Sequence, residues 1–161
     1  MDKIKEFTHF DNNGKAKMVD VSKKEDTLRI AAARGYIILN SQIIKKIREN
    51  QIQKGDVLAV AKIAGINAAK KTWELVPLCH QIRLTGIDID FEISDSENKI
   101  ISVSTIKGYD KTGVEMEALT SVALSLITIY DMCKAVSKKM IIGGIELIKK
   151  TGGKSDYEKN S

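Results

Sequence analysis

A chain of 161 residues suits a single core that buries roughly 70% of the unfolded surface, and 43% hydrophobic with 29% charged residues and one proline exclude a disordered or linker-rich chain. Two cysteines, Cys79 and Cys133, and two histidines, His9 and His80, are too few for a disulfide framework or a Cys/His zinc cage. The balance of 26 Lys+Arg against 21 Asp+Glu gives +5 and a pI near 9.1, which favours an anionic partner without choosing among nucleic acid, a phosphorylated metabolite and a membrane surface.

From Thr27 to Leu39, strand and helix templates both fit in part, and Gly35 with the β-branched end favours a strand. Asn40 or Ser41 caps a helix whose stripe is Ile43, Ile44 and Ile47, and Lys54-Gly55-Asp56 reads as its stop and the next start. Helical spacing then runs from Val57 to Val76 through Val60, Ala61, Ala64, Ala68 and Leu75, with Gly65 leaving room for a neighbouring backbone, and ends before Pro77.

Ile87, Ile89, Phe91 and Ile93 alternate with Asp88, Asp90 and Glu92, and Ile101, Val103 and Thr105 alternate with Ser102, Ser104 and Ile106. With SDSENK as the turn, this predicts an antiparallel hairpin whose acids face solvent. The longest helical pattern is Glu115 to Lys138, with Leu119, Val122, Ala123, Leu126, Tyr130 and Cys133 on one side. A last strand is expected from Met140 to Ile148. The order predicts an α+β, ferredoxin-like sandwich: an antiparallel sheet packed by helices with one extra helix. The whole chain, 1–161, reads as a single domain with an extended N-terminal segment over 1–20 and a polar tail over 149–161.

The N-terminus, MDKIKEFTHFDNNGK, lacks the apolar stretch of a secretory signal. The greasiest run, Val122 to Tyr130, is interrupted by Ser125 and Thr128 and is too short to span a bilayer, so a cytoplasmic protein with no membrane partner is expected.

Three places carry chemistry-bearing residues. Leu78-Cys79-His80 follows the proline stop and sets a thiol beside an imidazole, the side chain best suited to proton transfer near neutrality. The bland alternatives are a histidine satisfied by backbone groups and a cysteine packed as a small hydrophobe. At Lys107 to Glu117, a glycine-framed loop enters a helix carrying Glu115 and Glu117. These carboxylates either stabilise the helix dipole or accept hydrogen bonds from the donor edge of a guanidine-like ring. Asp131 and Lys134, three apart on one helix, form either an ordinary surface pair or, in a partly buried cleft, a proton-shuttling pair. At 1.5 Å per residue, Glu117 and Asp131 stand roughly 21 Å apart, so one small molecule touches both only across two subunits. Gly153-Lys154-Ser155 fails as a P-loop, with Ile148 in place of the first glycine and no following helix. Lys107-Gly108-Tyr109 fails as an RNA-binding motif because Asp110 and Lys111 follow.

Together, MVDVS (Met18 to Ser22), KGDV (Lys54 to Val57), AKIAGINAAKKTWELVPLC (Ala61 to Cys79) with His80, KTGVEMEALT (Lys111 to Thr120), IYDMCKAV (Ile129 to Val136) and the closing GGKS closely resemble the cyclic pyranopterin monophosphate synthases, the molybdenum cofactor biosynthesis protein C family. The resemblance implies a ferredoxin-like subunit in a homo-hexamer, a trimer of dimers with its active site at a subunit interface. It implies a lyase that converts a 3′,8-cyclised dihydroguanosine triphosphate, a guanine nucleotide derivative, to cyclic pyranopterin monophosphate with release of diphosphate, on the way to molybdopterin.

By the same resemblance, Asp131 and Lys134 are the acid/base pair and Lys54 and His80 further catalytic or orienting groups. Leu78, Cys79 and His80, with Met116 and Glu117, bind substrate, and Glu115 belongs with them as a carboxylate for its donor groups. Lys70, Lys71, Lys150 and Lys154 are candidates for the triphosphate. Expelling diphosphate calls for cations on the oxyanions and a base for the attacking hydroxyl. No cofactor or protein-bound metal is expected, and Mg²⁺ accompanying the triphosphate is compatible with this reading. The family usually has proline after the Cys-His pair, where this chain has Gln81. A nucleic-acid module of RNA-recognition type is the rival. Basic charge and fold suit it, while 5% aromatic residues supply few stacking platforms.

Overall fold

β1, Thr27–Ile38, is the strand around which the fold is organised, because it is the central strand of the sheet. The computed structural model describes residues 15–159, so most of the N-terminal segment expected to be extended lies outside the described residues. β1 is followed by α1 (Ser41–Arg48), α2 (Val57–Lys70), α3 (Thr72–Leu75), β2 (Leu84–Ser94), β3 (Lys99–Asp110), α4 (Glu115–Cys133), β4 (Ile141–Thr151) and β5 (Tyr157–Glu158). The sheet is wholly antiparallel in the order β2-β3-β1-β4-β5. Without β5 this is the ferredoxin-like strand order, and the α+β architecture expected from the sequence is the one observed.

β1 turns Arg29, Ala31, Ala33, Gly35 and Ile37 toward the helices. Its small side chains let α4 settle close to the sheet, where Ala118, Val122, Leu126 and Ile129 are fully buried. Each larger aliphatic side chain there contributes about 1.5–3 kcal/mol by leaving water. α2 lies against α4 at Gly65, where a Cβ would collide with Ser125 Oγ and press on the Ser121 carbonyl. The close approach expected at this glycine is therefore made by α4. No helix covers the opposite sheet face among the described residues; Leu28 is 54% exposed there and Ile101 and Val103 are half-buried.

Several local expectations are corrected. The helix after Asn40 stops at Glu49 and Asn50, not at Lys54-Gly55, because Asn50 takes φ 50° and its N–H returns to Ile47. The long helix after Asp56 breaks at Lys71: Lys71 N–H bonds tightly to the Ala68 carbonyl and the buried Thr72 hydroxyl donates to the same oxygen. Val60 and Leu75, expected on its inner stripe, are exposed. On β3 the inward set is Ile100, Ser102, Ser104 and Ile106, and Ile101, Val103 and Thr105 face the other side. Ser102 and Ser104 are fully buried with Ile106, and Ser104 is satisfied by donating to Ser121 Oγ at 3.0 Å.

The last helix ends at Cys133, short of Lys138, and its fully buried side is Ala118, Ser121, Val122, Ser125, Leu126, Ile129 and Cys133, with Leu119, Ala123 and Tyr130 only partly buried. The last strand runs to Thr151, and the following segment pairs again as β5, with Lys149 opposite Glu158. α4 is also longer than the apolar run marked in the sequence. At 19 residues and a mean hydropathy of 1.3 it would reach across a membrane by length and composition, yet half of it is buried within this chain as the core helix.

Candidate active site

α4 presents chemistry at both ends. Near its C-terminus, Asp131 receives two ammonium groups: Lys134 Nζ at 2.7 Å on Oδ1 and Lys54 Nζ at 2.8 Å on Oδ2. Lys54 is carried by the turn between α1 and α2, where Asp56 accepts from Ala59 N–H to start α2. Its ammonium also donates to the Asp131 carbonyl at 3.1 Å, so a cation sits on the negative end of the helix dipole. The hydrogen bond from Lys134, then that from Lys54, holds the Asp131 carboxyl down at about 2, and Asp131 in turn raises Lys134. All three side chains are about half-exposed. Within one chain Lys134 is thus a firmly protonated cation, not a lysine lowered by burial, and Asp131 is an ionised bridge between two cations.

At the other end, a cavity of about 530 Å³ opens between the 78–82 segment and the start of α4. Leu78, Cys79 and His80 form one wall and Glu115, Met116 and Glu117 the other. Gly113 makes this possible, because a Cβ there would overlap the Glu115 carboxylate that folds back over it. Glu115 pairs with Lys150 at 3.3 Å. Glu117 is 4% exposed, and burial, assisted by the Glu115 charge, pushes its carboxyl up to about 7. It therefore exchanges its proton near neutrality.

Burial, then the charge of Glu117, raises the Cys79 thiol, and burial raises Cys133 to about 11. Neither thiol is activated as a nucleophile. Among the described residues no three His, Cys, Asp or Glu side chains cluster so as to hold a metal ion.

The structure thus brings Leu78, Cys79, His80, Glu115, Met116 and Glu117 together, with Lys154 on the same cavity and Lys150 tied to it through Glu115. It brings Lys54, Asp131 and Lys134 together separately, and the length of α4 keeps the two groups apart. Lys70 and Lys71 stand exposed at the end of α2, outside the cavity lining. Sequence reasoning missed Lys24, Ile82 and Thr112 as cavity residues, and it assigned no role to Val19 and Val21. The MVDVS stretch was the signal for the two valines; nothing local marks Lys24.

The family model described as "MoaC family" matches residues 18–153, a span that contains both clusters except Lys154. A cyclic pyranopterin monophosphate synthase from Clostridium perfringens is 56% identical over 149 residues, covering 92% of this chain and 94% of that protein. Proteins of the same name from Peptoclostridium acidaminophilum and Heliobacterium modesticaldum are 53% and 52% identical, covering 97% and 94% of this chain and 99% and 95% of their own lengths. This chain belongs to the MoaC family.

Proposed function

We propose that the protein is a cyclic pyranopterin monophosphate synthase of molybdenum cofactor biosynthesis. It converts (8S)-3′,8-cyclo-7,8-dihydroguanosine 5′-triphosphate to cyclic pyranopterin monophosphate and diphosphate, as a phosphorus-oxygen lyase working in the cytoplasm. The observation that carries this reading is the Lys54–Asp131–Lys134 bridge, which offers two fixed cations about one carboxylate. Such a group suits a reaction in which negative charge grows on phosphate oxygens while a sugar hydroxyl must be deprotonated.

Each end of α4 has its own task in this account. At the cavity, Glu117 and Glu115 accept hydrogen bonds from the N–H donors of the guanine-derived ring, and Leu78, Cys79, His80 and Met116 enclose it. Lys150 and Lys154 supply cations nearby. At the other site, Lys134 donates a proton or holds an oxyanion and Lys54 steadies Asp131, while His80, on the cavity wall, is the further group for proton transfer. Asp131 becomes a base able to take the hydroxyl proton when substrate phosphates draw the two lysines from it.

The distance along α4 supports a site completed by a second copy, with the cavity of one subunit facing the Lys54–Asp131–Lys134 group of its neighbour. A homo-hexamer arranged as a trimer of dimers satisfies that requirement. No resident cofactor is proposed; Mg²⁺ travels with the triphosphate if it takes part. The test is conversion of the cyclised triphosphate by purified protein, with the pyranopterin product identified by mass and diphosphate quantified. A folded oligomer that forms neither product refutes the assignment.

A further inference from the structure

The cavity's two walls come from segments that meet just past the end of the β2–β3 ladder, whose outermost pair is Leu84 with Gly108. Beyond it, the Tyr109 N–H still donates to the Arg83 carbonyl at 3.1 Å. The next link is made by a side chain. Asp110 accepts the Arg83 N–H on Oδ2 at 2.9 Å and the Lys111 N–H on Oδ1 at 2.8 Å. One carboxylate therefore grips the exit of the segment carrying Cys79, His80 and Ile82 and the entry to the loop through Thr112 and Gly113 that leads to Glu115.

The surroundings keep this grip in place. Burial works against the Asp110 charge, but the two amides, helped by the charges of Arg83 and Lys111, outweigh it and hold the carboxyl below its ordinary range. The buried Arg29 fixes the same loop from beneath, donating to the carbonyls of Asp110 at 3.2 Å and Lys111 at 3.0 Å. The Arg83 guanidinium donates to the Tyr109 carbonyl and to Asp26 Oδ2 at 2.7 Å, and lies 5.7 Å from the centre of the Tyr109 ring. Between Val76 and Arg83, by contrast, Cys79 N–H to the Val76 carbonyl is the one backbone hydrogen bond inside the segment among the described residues. The 79–82 stretch depends on its far anchor, and Gln81 adds no proline stiffness to it.

We infer that Asp110 is a positioning residue for the candidate active site: by clasping the amides of Arg83 and Lys111 it sets His80 in register with the wall formed by Glu115 and Glu117. This rests on the proposed function only for its effect on turnover; its effect on the loop stands by itself. An aspartate is needed because both oxygens accept at once. Asparagine keeps one acceptor and turns an amide N–H toward the second donor, and alanine keeps neither.

Two measurements on the full-length protein test this. In the first, Cys79 alkylation by iodoacetamide is followed in wild type, Asp110→Asn and Asp110→Ala, with the fully buried Cys133 as internal reference. Alkylation of Cys79 is expected to quicken several-fold in the alanine variant and less in the asparagine variant, with Cys133 unchanged. In the second, kcat/KM for the cyclised triphosphate is measured for Asp110→Ala, His80→Ala and the pair. Asp110→Ala is expected to lose about tenfold, and the double variant to be no worse than His80→Ala alone. Unchanged Cys79 alkylation in both variants, or losses that multiply in the double variant, overturns the clasp. A wild type that turns over no substrate while its Cys79 responds to Asp110 overturns the synthase assignment and leaves the clasp standing.

Discussion

Lys54 Nζ meets Asp131 Oδ2 at 2.8 Å across 77 residues of sequence, tying the α1–α2 turn to the last turn of the core helix. Because Lys134 holds the other oxygen, the carboxylate stays ionised down to about pH 2. A carboxyl lowered in the folded state stabilises above its unfolded value and loses that stabilisation as pH falls toward about 2, so neither Asp131 nor Lys134, whose ammonium is raised by it, changes charge between pH 4 and 9.

Replacing Asp131 with asparagine therefore probes chemistry with little structural cost. The side chains are half-exposed, and exposed ion pairs hold little stability. Asp131→Asn is expected to lower kcat by about a hundredfold or more while Tm moves by only about 2 °C, read by diphosphate release and thermal denaturation side by side.

Glu117 gives the protein a pH signature of opposite sign. Its folded-state carboxyl is raised from 4.5 to about 7, so its contribution is complete below pH 4.5, declines as pH rises and is gone above pH 7. The shift corresponds to about 3 kcal/mol of stability lost across that window. Denaturant titrations at pH 4.5 and 7.5 are expected to show this decline in wild type and a flatter profile in Glu117→Gln.

If Glu117 accepts hydrogen bonds from the substrate ring, it must be ionised to bind, and binding then releases a proton near neutrality. KM is expected to fall as pH rises from 6 to 8, and calorimetry in buffers of different ionisation enthalpy is expected to find proton release in wild type but not in Glu117→Gln.

Much of this was legible in the sequence because it is written locally. The Asn40 cap, the Ile43, Ile44 and Ile47 stripe and the period-2 run of β2 each depend on neighbours a few residues away, and all three form as expected. The inward face of β3 was not legible. Ser102 and Ser104 are polar in composition, and only the approach of Ser121 from α4 explains why Ser104 is buried. In the site, KTGVEMEALT and LCH marked the cavity walls, whereas Lys24 and Asp110 act through chain reversals that no spacing announces.

Gly65 tests the helix contact that fixes α4 and so both clusters. An alanine gains helix propensity of about 1 kcal/mol, but its Cβ meets Ser125 Oγ, Ile89 and the Ser121 carbonyl. Gly65→Ala is expected to destabilise by about 1–2 kcal/mol net, and by less when Ser125→Ala is also present, as a double-mutant cycle in urea will show.

Subunit sharing predicts complementation. Asp131→Asn and Glu117→Gln proteins, each expected to be nearly inactive, are to be mixed, unfolded and refolded together. If each site draws Glu117 from one chain and Asp131 from another, random pairing restores about one quarter of wild-type activity. Sites contained within one chain would restore none.

Diphosphate release from the cyclised guanosine triphosphate is to be measured for wild type, Asp131→Asn and Lys134→Ala, each verified as folded. Release with formation of cyclic pyranopterin monophosphate is expected from the wild type, and its loss in both variants. No release by the folded wild type, or undiminished rates in both variants, would contradict the proposed function.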